Sequence, residues 1–298
     1  MSKETNDKEV LQWHPAFYAS LQIEFAEEAD KLIFENEHQL GTKPKEIDVL
    51  IIKKNFSDRI QKNLGRIFRK HNIVEYKSPK DYLSVDDFYK VYGYACFYKA
   101  DTPKENQIPI EDITITFVCH KYPRKMMQHL REVRKLDIVK RESGIYYIHN
   151  DIFPIQLIVT SKLTDEDNLW LKNLTDDLRE RQIAERLVDE YEQHKRDTNY
   201  ESAMDAIIRA NRGMFMEVSG MCNALREILE EIAEERAVKM TEERAVKMAE
   251  ERAVKMAENK ICSLVKKGLL KLEDAAEELG ITPEEMEEKI KTVENLTC

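Results

Sequence analysis

The chain has 298 residues, and 57 acidic against 47 basic side chains leave a formal net charge of −10. Charged residues make up 35% of it, and its longest apolar runs, such as Val49 to Ile52, are far too short to span a bilayer as a helix. The polar start Met1-Ser2-Lys3-Glu4 is no signal peptide, and the scattered cysteines Cys96, Cys119, Cys222, Cys262 and Cys298 never stand at metal-ligand spacing. Structural zinc and a disulfide framework are thereby set aside, and a reducing, cytoplasmic setting is expected.

In chain order, Pro15 precedes a helical stretch from Phe17 to Asp30 that carries Glu24. Leu32 to Gln39 reads as a first strand, Gly41-Thr42-Lys43-Pro44 as a turn, and Glu46-Ile47-Asp48-Val49-Leu50-Ile51-Ile52 as a second strand with Asp48 near its start. Ile73-Val74-Glu75-Tyr76-Lys77 reads as a third. Strand side chains alternate between faces, so Glu75 and Lys77 share one face while Val74 and Tyr76 take the other. Two carboxylates on neighbouring strands suit a hard divalent cation, Mg²⁺ or Mn²⁺, whose shell the Tyr76 carbonyl, waters and a substrate phosphate would complete. Lys77 beside them suits stabilisation of charge developing on a phosphate.

The insert joining these two strands is strongly basic: Lys53, Lys54, Arg59, Lys62, Arg66, Arg69 and Lys70 face only Asp58. This local excess, against a negative total, predicts a DNA footprint made of phosphate contacts. Ser84-Val85-Asp86-Asp87 predicts a capping box opening a helix through Lys99, on which Tyr89, Lys90 and Tyr92 lie on or near one turn. Further strands are expected at Ile113 to Cys119, Ile145 to Ile148 and Pro154 to Thr160. The segment between the first two of these carries a second basic run, Lys121, Arg124, Lys125, Arg131, Arg134, Lys135 and Lys140.

Asp48 on one strand and Glu75-Tyr76-Lys77 on the next, behind a helix carrying Glu24, resemble the signature of the PD-(D/E)XK nuclease superfamily, with Ile47 where that signature has proline. More narrowly, the chain resembles the branch of recombination-promoting nucleases or nuclease-family transposases. The resemblance covers Trp13 to Leu163. It implies a restriction-endonuclease-like α/β fold, a mixed sheet flanked by helices, followed by a long α-helical C-terminal tail. It also implies a metal-dependent DNA endonuclease with Asp48, Glu75 and Lys77 as catalytic residues and Glu24 as an outer ligand, plausibly acting in recombination or on a mobile element. The alternative from another class is a non-catalytic DNA-binding or assembly protein that keeps the nuclease fold.

Behind residue 163 the composition turns to helix formers. Leu171, Leu174, Leu178 and Ile183 stand at helical spacing within Asp165 to Lys195, and a helical region is expected over 164–232. Over 233–260 an eight-residue unit beginning Glu234-Glu235-Arg236-Ala237 recurs three times. Eight residues at about 100° each rotate the apolar positions by roughly 80° per copy, so no stripe persists. Glu235, Lys239, Glu243, Lys247, Glu251 and Lys255 alternate in sign at every fourth position and predict a solvated spacer helix. In the last unit, 261–298, Gly280 followed by Thr282-Pro283-Glu284-Glu285 predicts two short helices that dock or dimerise, making a homo-oligomer through the tail an expected association. The glycines never approach the spacing of a dinucleotide fingerprint or P-loop, and neither a Gly-x-Ser-x-Gly elbow nor a His-Glu-x-x-His pair occurs.

Overall fold

The computed structural model describes residues 12–39, 46–55 and 57–218, and, between 229 and 289, chiefly 245–249, 256–265 and 267–287. It contains a seven-stranded mixed sheet. Helix α1 (Trp13–Glu24) leads into β1 (Leu32–Gln39), β2 (Glu46–Lys53) and β3 (His71–Lys77), followed by α2 (Val85–Ala100), β4 (Ile113–Cys119) and α3 (Arg124–Glu132). Then come β5 (Asp137–Glu142), β6 (Ile145–His149) and β7 (Ile155–Val159). The strands lie in the order β1-β2-β3-β4-β7-β6-β5. β3, β4 and β7 run parallel, and the flanking pairs are antiparallel.

Every residue of β4 and β7 is buried, as parallel strands covered on both faces require. One face carries α2 and α3, whose Phe88, Val91, Ala95, Met126, Met127 and Leu130 pack over Ile73, Ile115, Phe117 and Leu157. On the other face α1 lies at Tyr76, with the Phe17 ring stacked on it at 4.1 Å between centroids. The capping box opening α2 is present, Ser84 accepting from the Asp87 amide and Asp87 from the Ser84 amide.

Two sequence expectations about the sheet and its first helix need revision. Helix α1 begins at Trp13, ahead of Pro15, and ends at Glu24, after which Ala26–Glu28 tighten into a 3-10 turn. β5 was not expected: its exposed residues include Lys140 and Arg141, and an edge strand with charged side chains lacks the apolar alternation by which strands are recognised. Gly144, at φ +77°, turns the chain from β5 into β6, where a Cβ would stand 2.8 Å from the Val159 carbonyl oxygen.

The boundary expected at residue 163 also moves. The first compact unit runs through Leu229, because helices α4 (Leu169–Lys172), α5 (Arg181–His194), α6 (Thr198–Ala210) and α7 (Arg212–Val218) complete the cover over α1. Gln22 on α1 bonds Asn199 on α6 at 3.2 Å. The leucine spacing between Asp165 and Lys195 is interrupted around Thr175. There Asn211 donates to the Thr175 carbonyl at 2.6 Å and accepts from the Leu178 amide at 2.9 Å, holding a loop in place of a helix.

The second unit spans Glu230–Cys298. Residues 256–265 are helical, α8 (Leu272–Leu279) ends at Gly280 with φ 61°, and Cys262, Ala275, Ala276 and Met286 form a small core. The Thr282 cap is reciprocated by Glu285. Along the octad array, Val238, Val246 and Met248 are exposed, in keeping with a solvated helix. Glu235, Lys239, Glu243, Glu251 and Lys255, like the turn at Gly41 to Pro44, lie outside the described residues. Among the described residues no helix is long and apolar enough to cross a membrane.

Candidate active site

Asp48 and Glu75 are brought together by strand register. β2 and β3 are antiparallel with Val49 opposite Val74, so the next step outward sets Asp48 opposite Glu75, at the edge where the parallel strands end. The Tyr76 amide donates to Asp48 Oδ2 at 2.9 Å, which fixes that carboxylate across the two strands. Among the described residues no other group hydrogen-bonds the Asp48 carboxylate. His14, in the first turn of α1, stands 3.9 Å from the same oxygen.

Glu75 faces α2. Its side chain is 3% exposed, with Oε1 3.2 Å from Lys77 Nζ and 3.6 Å from Lys90 Nζ. Burial, and after it the neighbouring Asp48 charge, hold its carboxyl above the usual range against the pull of the two lysines. Lys77 is also 3.0 Å from Asp87 Oδ1. Burial pulls the Lys77 ammonium down, but Asp87 and Glu75 more than offset it, so Lys77 is held as a cation. Asp87 therefore has two roles, capping α2 through Ser84 and anchoring Lys77. The side chain of Tyr76 points to the opposite face, where burial pushes its hydroxyl far up, so only its backbone belongs to the site.

A buried and a half-buried carboxylate facing one another fit a divalent cation, which relieves their repulsion with the hard oxygen donors such ions prefer. Among the described residues no group of three or more His, Cys, Asp and Glu is placed to hold a metal. Any further donors fall to the Tyr76 carbonyl, water and substrate.

Glu24, expected as an outer ligand, is spent elsewhere. It sits ten residues beyond His14 along α1, about 15 Å at the helical rise. Its Oε1 accepts from the amides of Trp170 and Leu171, and its Oε2 is 2.6 Å from Lys62. Glu24 thus caps the short helix α4 and serves the fold. Neighbouring Glu28 is likewise taken, by the amides of Gln61 and Lys62.

The basic insert is corrected in the same way. It forms no α-helix, only a 3-10 turn at Asn63–Gly65. Lys53 is buried; Lys54 donates to the Ala29 carbonyl, and Lys70 to those of Lys53 and Lys54. Lys62 pairs with Glu24 and the Asp167 carbonyl, and Arg66 with Glu142. Arg59 and Arg69 remain exposed. Moreover Arg69 and Lys70 precede β3, whereas Glu75 lies four residues past His71, about 13 Å along the strand. Lys54, Lys62, Arg66 and Lys70 are thus engaged by partners within the fold. A long gap between strands has loop ends to satisfy, and lysines here cap bare carbonyls, a use that net charge does not disclose.

Sequence reasoning did not single out His14 and saw Asp87 only as a cap. Lys90 had been marked, and it does reach the site. Tyr89 and Tyr92 turn elsewhere, to His129 and Asp151. No protein-family model, no curated protein and no solved structure matches the chain.

Proposed function

We propose that the chain is a Mg²⁺- or Mn²⁺-dependent DNA endonuclease of the PD-(D/E)XK type that hydrolyses phosphodiester bonds. One observation carries the reading: Asp48 and Glu75 face each other across adjacent antiparallel strands, with Lys77 on the Glu75 side clamped between Glu75 and Asp87. Bound there, the cation supplies neutralisation of phosphate charge and acidification of water. Asp48, pinned by the Tyr76 amide, and Glu75 would hold it. The Lys77 ammonium, kept charged by its two carboxylates, serves as a fixed donor toward a phosphate oxygen; it is a stabiliser of developing negative charge and not a base. Lys90, at the rim on α2, adds a second positive group for the incoming backbone. A role in recombination or on a mobile element rests on the family resemblance alone.

The fate of Glu24 favours a second reading, a non-catalytic DNA-binding or assembly protein on the same scaffold, since the outer carboxylate of the expected set is consumed in capping α4. Supercoiled plasmid incubated with the full chain in Mg²⁺, in Mn²⁺ and in chelator separates the two. Cleavage that needs the metal and disappears in Asp48→Asn supports the endonuclease. A folded protein that retains DNA and leaves it intact in both metals decides for the second.

A further inference from the structure

Away from the carboxylates, a cleft of about 450 Å³ opens where the basic insert meets the β5–β6 hairpin. Arg66 and Arg69 come from the insert, and Arg141 and Tyr147 from the hairpin, so segments far apart in sequence converge three guanidinium groups on one concavity. Each is supported differently. Arg69 is held by its backbone: the side chain of Asn72, 0% exposed, accepts from the Arg69 amide at 2.8 Å and donates to its carbonyl at 3.0 Å. The guanidinium it carries is exposed. The Arg141 guanidinium lies 5.1 Å from the centroid of the Tyr147 ring. Arg66 donates through Nε to the Gln61 carbonyl and through Nη1 to Glu142, which leaves Nη2 uncommitted.

The acids lining the cleft do not cancel this charge. Asp151 is taken by Arg134 at 2.6 Å, by the Tyr92 hydroxyl at 2.9 Å and by the Phe153 amide at 3.2 Å. Only Glu111 remains among the acids that line it. Among the described residues, no carboxylate stands at ion-pair distance from Arg69 or Arg141. Guanidinium groups left without carboxylates, in a concave site beside an aromatic ring, match a phosphate-bearing ligand: the fork of each donates to two oxygens at once, and the ring offers a flat apolar surface to a base.

We infer that this cleft is a binding site for the phosphates of a nucleotide unit, separate from the carboxylate pair at the other end of β3. The unit is either part of a nucleic-acid strand or a free nucleotide, and the site stands whether or not the carboxylate pair cleaves DNA.

The test uses the full chain in chelator at 0.15 M salt, which keeps divalent cations out of the carboxylate site. A fluorescently labelled single-stranded oligonucleotide is titrated by anisotropy, and ATP by calorimetry. Binding of the oligonucleotide without ATP assigns the cleft to a strand, and binding of ATP assigns it to free nucleotide. Arg69→Ala with Arg141→Ala should weaken whichever ligand binds at least tenfold. Both arginines are exposed and lack carboxylate partners, so the double variant should fold, which its circular dichroism and melting temperature establish. A second variant, Arg69→Lys with Arg141→Lys, keeps the charge and loses the fork, and its affinity should fall between parent and double alanine. Absence of binding by the parent to both probes overturns the inference, as does a double alanine variant that binds like the parent.

Discussion

Glu24 and Glu75 are both buried carboxylates within reach of lysine, and they differ in what is left over. Glu24 has both oxygens engaged, by two backbone amides and by Lys62 at 2.6 Å, and its burial completes the cover between α1 and α4. Glu75 has one oxygen near two lysines at 3.2 and 3.6 Å and a like charge, Asp48, across the strand pair. A saturated buried charge is structure. A buried charge facing another of the same sign, with acceptor capacity unspent, costs stability and is useful where a cation or substrate arrives.

Substitutions should break this contrast in opposite directions. Glu75→Gln removes the repulsion with Asp48, so its melting temperature should stay within a few degrees of the parent or rise, while metal-dependent cleavage falls about a thousandfold, roughly 4 kcal/mol at the transition state. A variant that cuts at the parental rate would remove Glu75 from the site. Glu24→Ala should do the reverse. It orphans the Trp170 and Leu171 amides and removes the carboxylate partner of Lys62, and chemical denaturation should show a loss of about 3 kcal/mol, with any surviving folded fraction cutting at the parental specific rate.

Asp87 lies between the two cases. Asp87→Asn keeps a side chain able to accept from the Ser84 amide but frees Lys77, and kcat should drop roughly tenfold with KM little changed. An equal rise in KM would point to substrate binding in place of orientation of Lys77.

The smallest effect is a pH dependence at Glu24. Burial first of all raises its carboxyl above the ordinary 4.5 against the pull of Lys62 and the two amides. The folded protein then holds that proton more tightly than the unfolded chain, so this contribution is full below 4.5 and is lost as pH rises through the folded value. Glu24→Gln imitates the protonated form. Its deficit against the parent should be larger at pH 4 than at pH 7. A deficit that grows toward pH 7 would show that the charge pair with Lys62 outweighs burial.

Six of the seven strands, the capping box of α2 and the Asp48–Glu75–Lys77 set were legible in the chain because each depends on local rules: alternation at period two, a Ser three residues before an acid, apolar runs bounded by turns. β5 was hidden since an edge strand with Lys140 and Arg141 outward has no buried face to print a pattern. The partners of Glu24 and of the lysines of the basic insert were hidden for a shared reason. Charge and spacing are visible in sequence, but the partners that consume a charge are not. The amides that neutralise Glu24 lie 146 and 147 residues away, and the carbonyls that take Lys54 and Lys70 belong to loop ends whose exposure only folding creates.

What the sequence determined by itself was which residues lie on strands and which faces they share, because backbone periodicity is a nearest-neighbour property. What only tertiary structure decided was occupancy: Glu24 closed off by the amides of α4, Lys62 turned inward to meet it, and Arg69 and Arg141 lining one cleft. Those pairings join segments that touch only after β2, β3 and β7 have formed, and a buried polar group takes whichever partner the packing brings within hydrogen-bond reach.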